Sequence, residues 1–112
     1  MSAQPTQQNT AMQARVEVSG RKAVIRLAGR FDFTAHRGFR EACAAPLESN
    51  QIDELDVDLG AVDYLDSSAL GMLLMLREKA QAANKAVVLS NCRGAARQVL
   101  DIANFGKLFV MK

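Results

Sequence analysis

Two neighbouring serines, Ser67 and Ser68, have the setting in this chain that best suits chemistry. They follow Asp66, and an apolar run begins directly after them. The short oxygens of Asp and Ser accept hydrogen bonds from the unpaired N–H groups of a helix's first turn. The stretch therefore predicts a capped helix N-terminus that presents two hydroxyl groups. Helix capping alone is sufficient to explain this pattern.

Enzymatic chemistry at these serines lacks its usual companions. A serine hydrolase needs a general base near the nucleophile and an oxyanion site, but the sequence has one histidine, His36, and no GxSxG motif. Its glycines form neither of the common phosphate-binding loops, and Cys43 and Cys92 have no metal-ligand spacing. We therefore expect a protein that is not an enzyme and that carries no cofactor and no metal.

A serine at a helix N-terminus can instead receive a phosphoryl group when a separate kinase supplies the base, the metal and the nucleotide. The product carries about −1.5 to −2 charge, which the helix dipole favours and which Asp63 and Asp66 repel. A partner that desolvates a neutral hydroxyl would then meet a dianion beside carboxylates. Such a serine is suited to a binding switch that leaves the fold intact.

Composition limits the other possibilities. The chain has 112 residues, of which 49% are hydrophobic, enough for one core. Its 14 basic and 12 acidic side chains leave a net charge of +2, which does not indicate nucleic acid as the main partner. No apolar run approaches the roughly 20 residues that span a bilayer, and the N-terminus does not resemble a signal peptide. We expect a cytoplasmic protein without a membrane partner and with reduced cysteines.

Hydrophobic periodicity predicts the elements around the serines. Residues 1–13 are polar and predicted to be a disordered tail, followed by one domain over residues 14–112. Alternation of Leu55, Val57 and Leu59 with acidic residues indicates a strand with one dry face. The same reasoning predicts strands at 15–19, 23–28, 53–59, 86–90 and 108–111, and helices at 34–45, 67–83 and 94–102.

Three residues set predicted boundaries. Gly29 is expected to end the second strand, and Pro46 is expected to stop the first helix near residue 45 because an interior proline costs about 3 kcal/mol. Asn84 is expected to end the second helix. The order of elements predicts an α/β fold with a mixed, mostly parallel sheet, an N-terminal antiparallel hairpin and helices packed mainly on one face.

Two motifs in this framework resemble those of STAS-domain anti-sigma factor antagonists. One runs from Asp66 to Gly71, after a strand and at the start of a helix, and the other runs from Gly29 to Asp32. The similarity covers about residues 15–111. It implies a single STAS-like domain that takes part in partner switching, as a monomer or weak dimer.

The resemblance also implies the function and its residues. The unphosphorylated form is expected to bind an anti-sigma factor or a serine kinase of the GHKL type, and a phosphoserine phosphatase is expected to restore that form. Family position makes Ser67 the phosphoryl acceptor, with Ser68 as a secondary candidate. The residues expected to face the partner are Arg30, Asp32, Tyr64, Asp66, Ser67, Ser68 and Ala69.

Two departures from the family pattern leave alternatives open. Ala69 replaces a common glycine, and Arg30 replaces a common acidic residue, so partner choice cannot be transferred from acidic relatives. On local pattern, Asp32 is equally suited to capping the first helix. The alternative functions are a module that binds a small ligand or nucleotide at the helix N-terminus and a scaffold domain that does not switch.

Overall fold

The fold is a five-stranded sheet with helices between its parallel strands, seen in a computed structural model that describes residues 11–112. The elements, in chain order, are β1 (Gln13–Ser19), β2 (Lys22–Phe31), α1 (His36–Glu48), β3 (Glu54–Leu65), α2 (Ser67–Ala82), β4 (Ala86–Ser90), α3 (Gly94–Ile102) and β5 (Val110–Met111). Short 3₁₀ turns occupy Phe33–Ala35 and Phe105–Lys107. Most of the predicted N-terminal tail lies outside the described residues, and β1 begins at the last residue of that predicted segment.

The strands lie side by side in the order β1-β2-β3-β4-β5. β1 and β2 are antiparallel, and every other neighbouring pair is parallel. The predicted α/β class, mixed sheet and opening hairpin are therefore confirmed. This topology places the carboxyl ends of β2 and β3 next to each other, which positions the candidate site.

Alternation along the strands separates the two faces of the sheet. Fully buried apolar side chains from β2, β3 and β4 form the centre of the core on one face; they include Ile25, Leu27, Leu55, Val57 and Leu89. The intervening positions lie on the other face and include both valines, such as the buried Val88, and polar groups, as in the bond between Arg26 Nη1 and Asp58 Oδ2 at 2.7 Å. The helices cover the apolar face, as the alternation around Leu55 predicts.

Asp58 is held on the polar face by several donors. Its Oδ1 accepts hydrogen bonds from the Gly60 N–H at 2.9 Å and from Asn91 Nδ2 at 3.0 Å. Burial alone raises the pKa of Asp58, but the bonds from Asn91 and Gly60 and the charge of Arg26 outweigh it and lower the pKa. These contacts connect β2, β3 and the residue that follows β4.

Two strands extend further than the sequence predicts. β2 continues through Gly29 to Phe31, and β3 continues beyond Leu59 to Leu65. Gly29 has φ +94° and lies where the register of β2 and β3 shifts, so it forms an irregularity inside the ladder instead of its end. Leu65 is buried beyond that irregularity, so packing supports the longer strand.

The first helix also differs from its prediction at both ends. A 3₁₀ turn precedes α1, which begins at His36 instead of residue 34. Pro46 lies inside α1, which ends at Glu48 instead of near residue 45. Pro46 is buried and has no backbone N–H to donate. The Ser49 N–H still bonds the Ala45 carbonyl at 3.0 Å, so the helix continues for one turn past the proline.

The second helix agrees with its prediction to one residue. α2 runs from Ser67 to Ala82, and Asn84 follows it with φ +61°. The Lys85 N–H then bonds the Ala80 carbonyl at 2.8 Å, which satisfies a terminal carbonyl of the helix. β5 is shorter than predicted, because a 3₁₀ turn lies just before it.

Candidate functional site at the ends of two strands

The two motifs singled out in the sequence meet at the end of the sheet where β2 and β3 terminate. Arg30 pairs with Tyr64, and Phe31 pairs with Leu65, at the ends of β2 and β3. The next residues, Asp32 and Asp66, leave the strands side by side, and the Asp66 N–H bonds the Phe31 carbonyl at 3.4 Å. Residues more than 30 positions apart in sequence therefore form one surface.

Asp66 is the N-cap of α2. Its Oδ1 accepts a hydrogen bond from the Ala69 N–H at 3.2 Å, and its backbone is extended, as is typical of an N-cap. Ser67 is the first residue of the helix and is exposed, whereas Ser68 is half-buried. Within residues 11–112, neither serine hydroxyl forms a hydrogen bond, so capping does not occupy them.

Asp32 forms the equivalent turn after β2. Its Oδ1 accepts hydrogen bonds from Thr34 Oγ1 at 2.6 Å and from the Thr34 N–H at 3.0 Å. The Thr34 hydroxyl, followed by its backbone N–H and the nearby Arg30, lowers the pKa of Asp32 against the opposing effect of burial. Asp32 thus caps the 3₁₀ turn before α1 and carries a negative charge at neutral pH.

Arg30 contacts both an aromatic and an acidic side chain at this end of the sheet. Its guanidinium carbon lies 3.9 Å from the centre of the Tyr64 ring, a cation–π contact, and its Nε lies 3.4 Å from Asp32 Oδ2. Tyr64 is 38% exposed. The arginine and tyrosine therefore form an accessible patch beside the turn that carries Ser67.

Two residues change the predicted composition of this surface. Ala69, which was predicted to face the partner, is fully buried, so its side chain is not part of the exposed surface. Its backbone N–H donates a hydrogen bond to Asp66 Oδ1. Phe33 is 71% exposed, directly after Asp32, and was not among the predicted site residues. Phe33 lies between Asp32 and Thr34, two polar residues typical of turns. This position in the sequence was the signal that the Phe33 side chain could be exposed.

Three further observations concern metal ligands, thiols and membrane spans in the described part of the chain. Residues 11–112 contain no cluster of three His, Cys, Asp or Glu side chains that would hold a metal ion. Burial raises the pKa of Cys43 to about 12, with Lys79 opposing the effect, and burial also raises the pKa of Cys92. A raised pKa favours the protonated thiol over the reactive thiolate at both positions. None of the helices described is long and apolar enough to cross a membrane.

Comparison with known proteins assigns the chain to a known class of domain. Residues 14–111 match the family model described as Mlab, STAS domain. The chain therefore belongs to the STAS domain family. A STAS-domain containing protein of Pseudomonas aeruginosa strain UCBPP-PA14 is 42% identical over 99 residues, which cover 88% of this chain and 96% of the relative.

Solved structures extend this similarity to anti-sigma factor antagonists. One from Mycobacterium paratuberculosis has a TM-score of 0.76 and 25% identity, over 91% of this chain and 86% of that chain. The Bacillus cell fate determinant SpoIIAA in its phosphorylated form has a TM-score of 0.67 and 22% identity, over 91% of each chain. The predicted resemblance and fold are thus confirmed.

Proposed function

We propose that this protein is an anti-sigma factor antagonist whose binding to its partner is controlled by phosphorylation of Ser67. The observation that carries the proposal is the position of Ser67. It is exposed, begins α2, and leaves the capping role to Asp66. The proposed partner is an anti-sigma factor or a GHKL-type serine kinase, and a phosphoserine phosphatase reverses the modification.

The local electrostatics suit a change of binding without unfolding. A phosphate on Ser67 would lie at the positive end of the α2 dipole, worth about 0.3–1 kcal/mol in its favour. The adjacent carboxylate of Asp66, the N-cap of the same helix, opposes it, so the net effect on folding is small. A partner that buries this surface, in contrast, would have to desolvate a dianion beside a carboxylate.

The neighbouring side chains are suited to contact a partner. The Arg30–Tyr64 pair and the exposed Phe33 offer one cation and two aromatic rings at the same edge, and such residues are enriched at protein interfaces. Ser68 lies one residue further into α2 and is half-buried. We assign it a secondary role as a contact residue.

The similarity to SpoIIAA supports the proposal at the level of the fold. Structures of SpoIIAA exist for the unphosphorylated and the phosphorylated form, with TM-scores of 0.67 to this chain in both cases. A domain of this shape therefore accommodates a phosphorylated state. By analogy, the proposal is that this chain also exists in an unphosphorylated and a phosphorylated form.

The proposal is tested by recovering the tagged protein from its native cells and quantifying co-purified proteins by mass spectrometry. Ser67→Ala is expected to retain the partner permanently, and Ser67→Asp is expected to lose it. Ser68→Ala serves as the matched control: it removes a contact hydroxyl from the same surface, and it is expected to keep the phosphorylation-dependent release of the partner that the wild type shows. Equal partner recovery by Ser67→Ala and Ser67→Asp would refute the switch and favour a scaffold that does not switch.

A small-ligand module would give a different result. If α2 binds an anion directly, Ser67→Asp should abolish the binding of inorganic phosphate or ATP measured by calorimetry. The switch proposal predicts no binding of either compound to the wild-type protein alone.

A further inference from the structure

The outer edge of β1 has the properties of a self-pairing strand. β1 is seven residues long and lies at one end of the sheet, and among the described residues it pairs with β2 on one side. Unpaired edge strands offer a row of N–H and C=O groups to another strand. The opposite edge is β5, which has two residues and offers little to pair with.

The sequence of β1 is complementary to itself in one antiparallel register. Arg15 and Glu17 flank Val16, and directly opposed residues in an antiparallel pair point to the same face. A twofold axis at Val16 places Arg15 of each copy opposite Glu17 of the other. Shifting the axis by one residue places Arg15 opposite Arg15 or Glu17 opposite Glu17, which is unfavourable.

The other face of β1 supports the same register. Val16 and Val18 are 40% and 64% exposed and line a groove with Pro46 and Ile52, beside the C-terminal end of α1. The Val16-centred pairing would cover these side chains with Ala14 and Val16 of a second copy. Apolar residues would thus meet on one face and opposite charges on the other.

We propose that β1 pairs with β1 of a second copy of this chain, antiparallel and centred on Val16, to form a symmetric dimer with one continuous sheet. The pairing is isologous, so it closes at two copies. β2 of the two copies then runs in opposite directions, and the two Ser67 turns lie at opposite ends of the joined sheet. Each copy can therefore bind its partner, independently of the proposed switch.

Charge reversal tests the pairing by sedimentation velocity of the full chain. Across the dimer, Arg15→Glu and Glu17→Arg each replace two attractive pairs by two repulsive ones, so each is expected to weaken the dimer by at least about tenfold. Glu17→Arg also removes the bond that Arg26 Nε donates to Glu17 at 3.1 Å within each chain, so Arg15→Glu is the cleaner of the two single variants. The double variant Arg15→Glu/Glu17→Arg restores opposite charges in the Val16-centred register and is expected to dimerise again. High salt is expected to weaken the wild-type dimer, because these side chains are exposed.

Cysteine cross-linking tests the register itself. In the proposed dimer Val16 faces Val16 at a Cα separation of about 5 Å, within the range for a disulfide. Val18 faces Ala14, so the two copies of residue 18 lie about 13 Å apart. Val16→Cys is therefore expected to cross-link under mild oxidation, and the matched control Val18→Cys is not. The native cysteines are buried and do not compete.

Clear outcomes would overturn the proposal. These are a wild-type protein that stays monomeric at high concentration, a dimer that is indifferent to both single charge reversals, and cross-linking of Val18→Cys as readily as Val16→Cys. Circular dichroism of each variant distinguishes loss of pairing from loss of folding. Since neither readout involves Ser67 or a partner, failure here leaves the proposed function untouched.

Discussion

At the candidate site, two aspartates at corresponding positions cap the turns that follow β2 and β3. Asp32 and Asp66 each follow a strand and each accept a backbone N–H from the turn that begins there. The carboxylates accept these backbone N–H groups, so the hydroxyls of Ser67 and Ser68 are not needed as caps. At the scale of single residues, the chemistry of the site depends on this separation between capping groups and the proposed phosphoryl acceptor.

Removal of the α2 cap should cost stability without removing the serine. Asp66→Ala leaves the Ala69 N–H without its acceptor and is expected to lower the free energy of unfolding by about 1 kcal/mol. Asp66→Asn is the matched control, because its amide oxygen can accept the same bond. Urea unfolding of both variants measures the difference, and equal stability of Asp66→Ala and the wild type would contradict the capping role.

Asp58 should make stability depend on pH in the acid range. Its pKa is lowered in the folded protein, whereas the unfolded value is about 3.9. The stabilisation is therefore fully present above that unfolded value and is lost as pH falls through the lower folded value. At pH 7, Asp58→Ala is expected to lower the free energy of unfolding by about 2 kcal/mol, because Asn91 and Gly60 lose their acceptor.

The measurement is urea unfolding of wild type and Asp58→Asn between pH 7 and the acid range. The wild type should lose more stability than Asp58→Asn as the pH falls, since the variant has no carboxylate to protonate. Parallel losses in the two proteins would show that Asp58 does not contribute to the pH dependence.

At the scale of elements, β2 and β3 position the site by continuing past their predicted ends. The sequence motif from Gly29 to Asp32 predicted proximity to Ser67, and the pairing of Arg30 with Tyr64 brings the two motifs together. Gly29 was predicted to end β2, but the strand continues through it to Phe31. Its left-handed conformation is instead required inside the ladder, which a single residue type does not reveal.

Gly29 should be intolerant of a side chain. A Cβ at this position would lie 2.7 Å from the Ala11 carbonyl oxygen, and φ is +94°. Gly29→Ala is therefore expected to destabilise the domain by more than about 1 kcal/mol. Gly71→Ala is the matched control, because position 71 is exposed in the interior of α2 and meets nothing within 4 Å.

Gly71→Ala should instead stabilise the domain by about 0.5–1 kcal/mol, since alanine favours a helix more than glycine does. Urea unfolding measures both changes. A neutral Gly29→Ala substitution would contradict the requirement for glycine in the β2 irregularity.

The limits of the sequence prediction have physical causes that differ between elements. The alternation at Leu55, Val57 and Leu59 and the cap at Asp66 are local patterns, so the first half of β3 and the start of α2 were predictable. Pro46 was misleading because a proline in the last helical turn removes one bond while its ring is buried. The cation–π contact of Arg30 with Tyr64 depends on strand register, which no local pattern specifies.

At the scale of the whole molecule, the proposed switch changes a surface and leaves the core alone. Ser67 lies beyond the carboxyl end of β3, outside the buried cluster that holds the helices on the sheet. Ser67→Asp is therefore expected to keep the melting temperature within a few degrees of the wild type, because dipole and carboxylate effects nearly cancel. Differential scanning calorimetry provides the test, and a cooperative loss of structure in Ser67→Asp would contradict a switch that acts on binding alone.

The most direct test of the switch is phosphopeptide mass spectrometry of the protein isolated from its native cells with phosphatases inhibited. The predicted result is a phosphate on Ser67, with Ser67→Ala losing the modification and Ser68→Ala retaining it. A protein that carries no phosphate on Ser67 across growth conditions, or that is modified on Ser68 alone, would contradict the proposed mechanism.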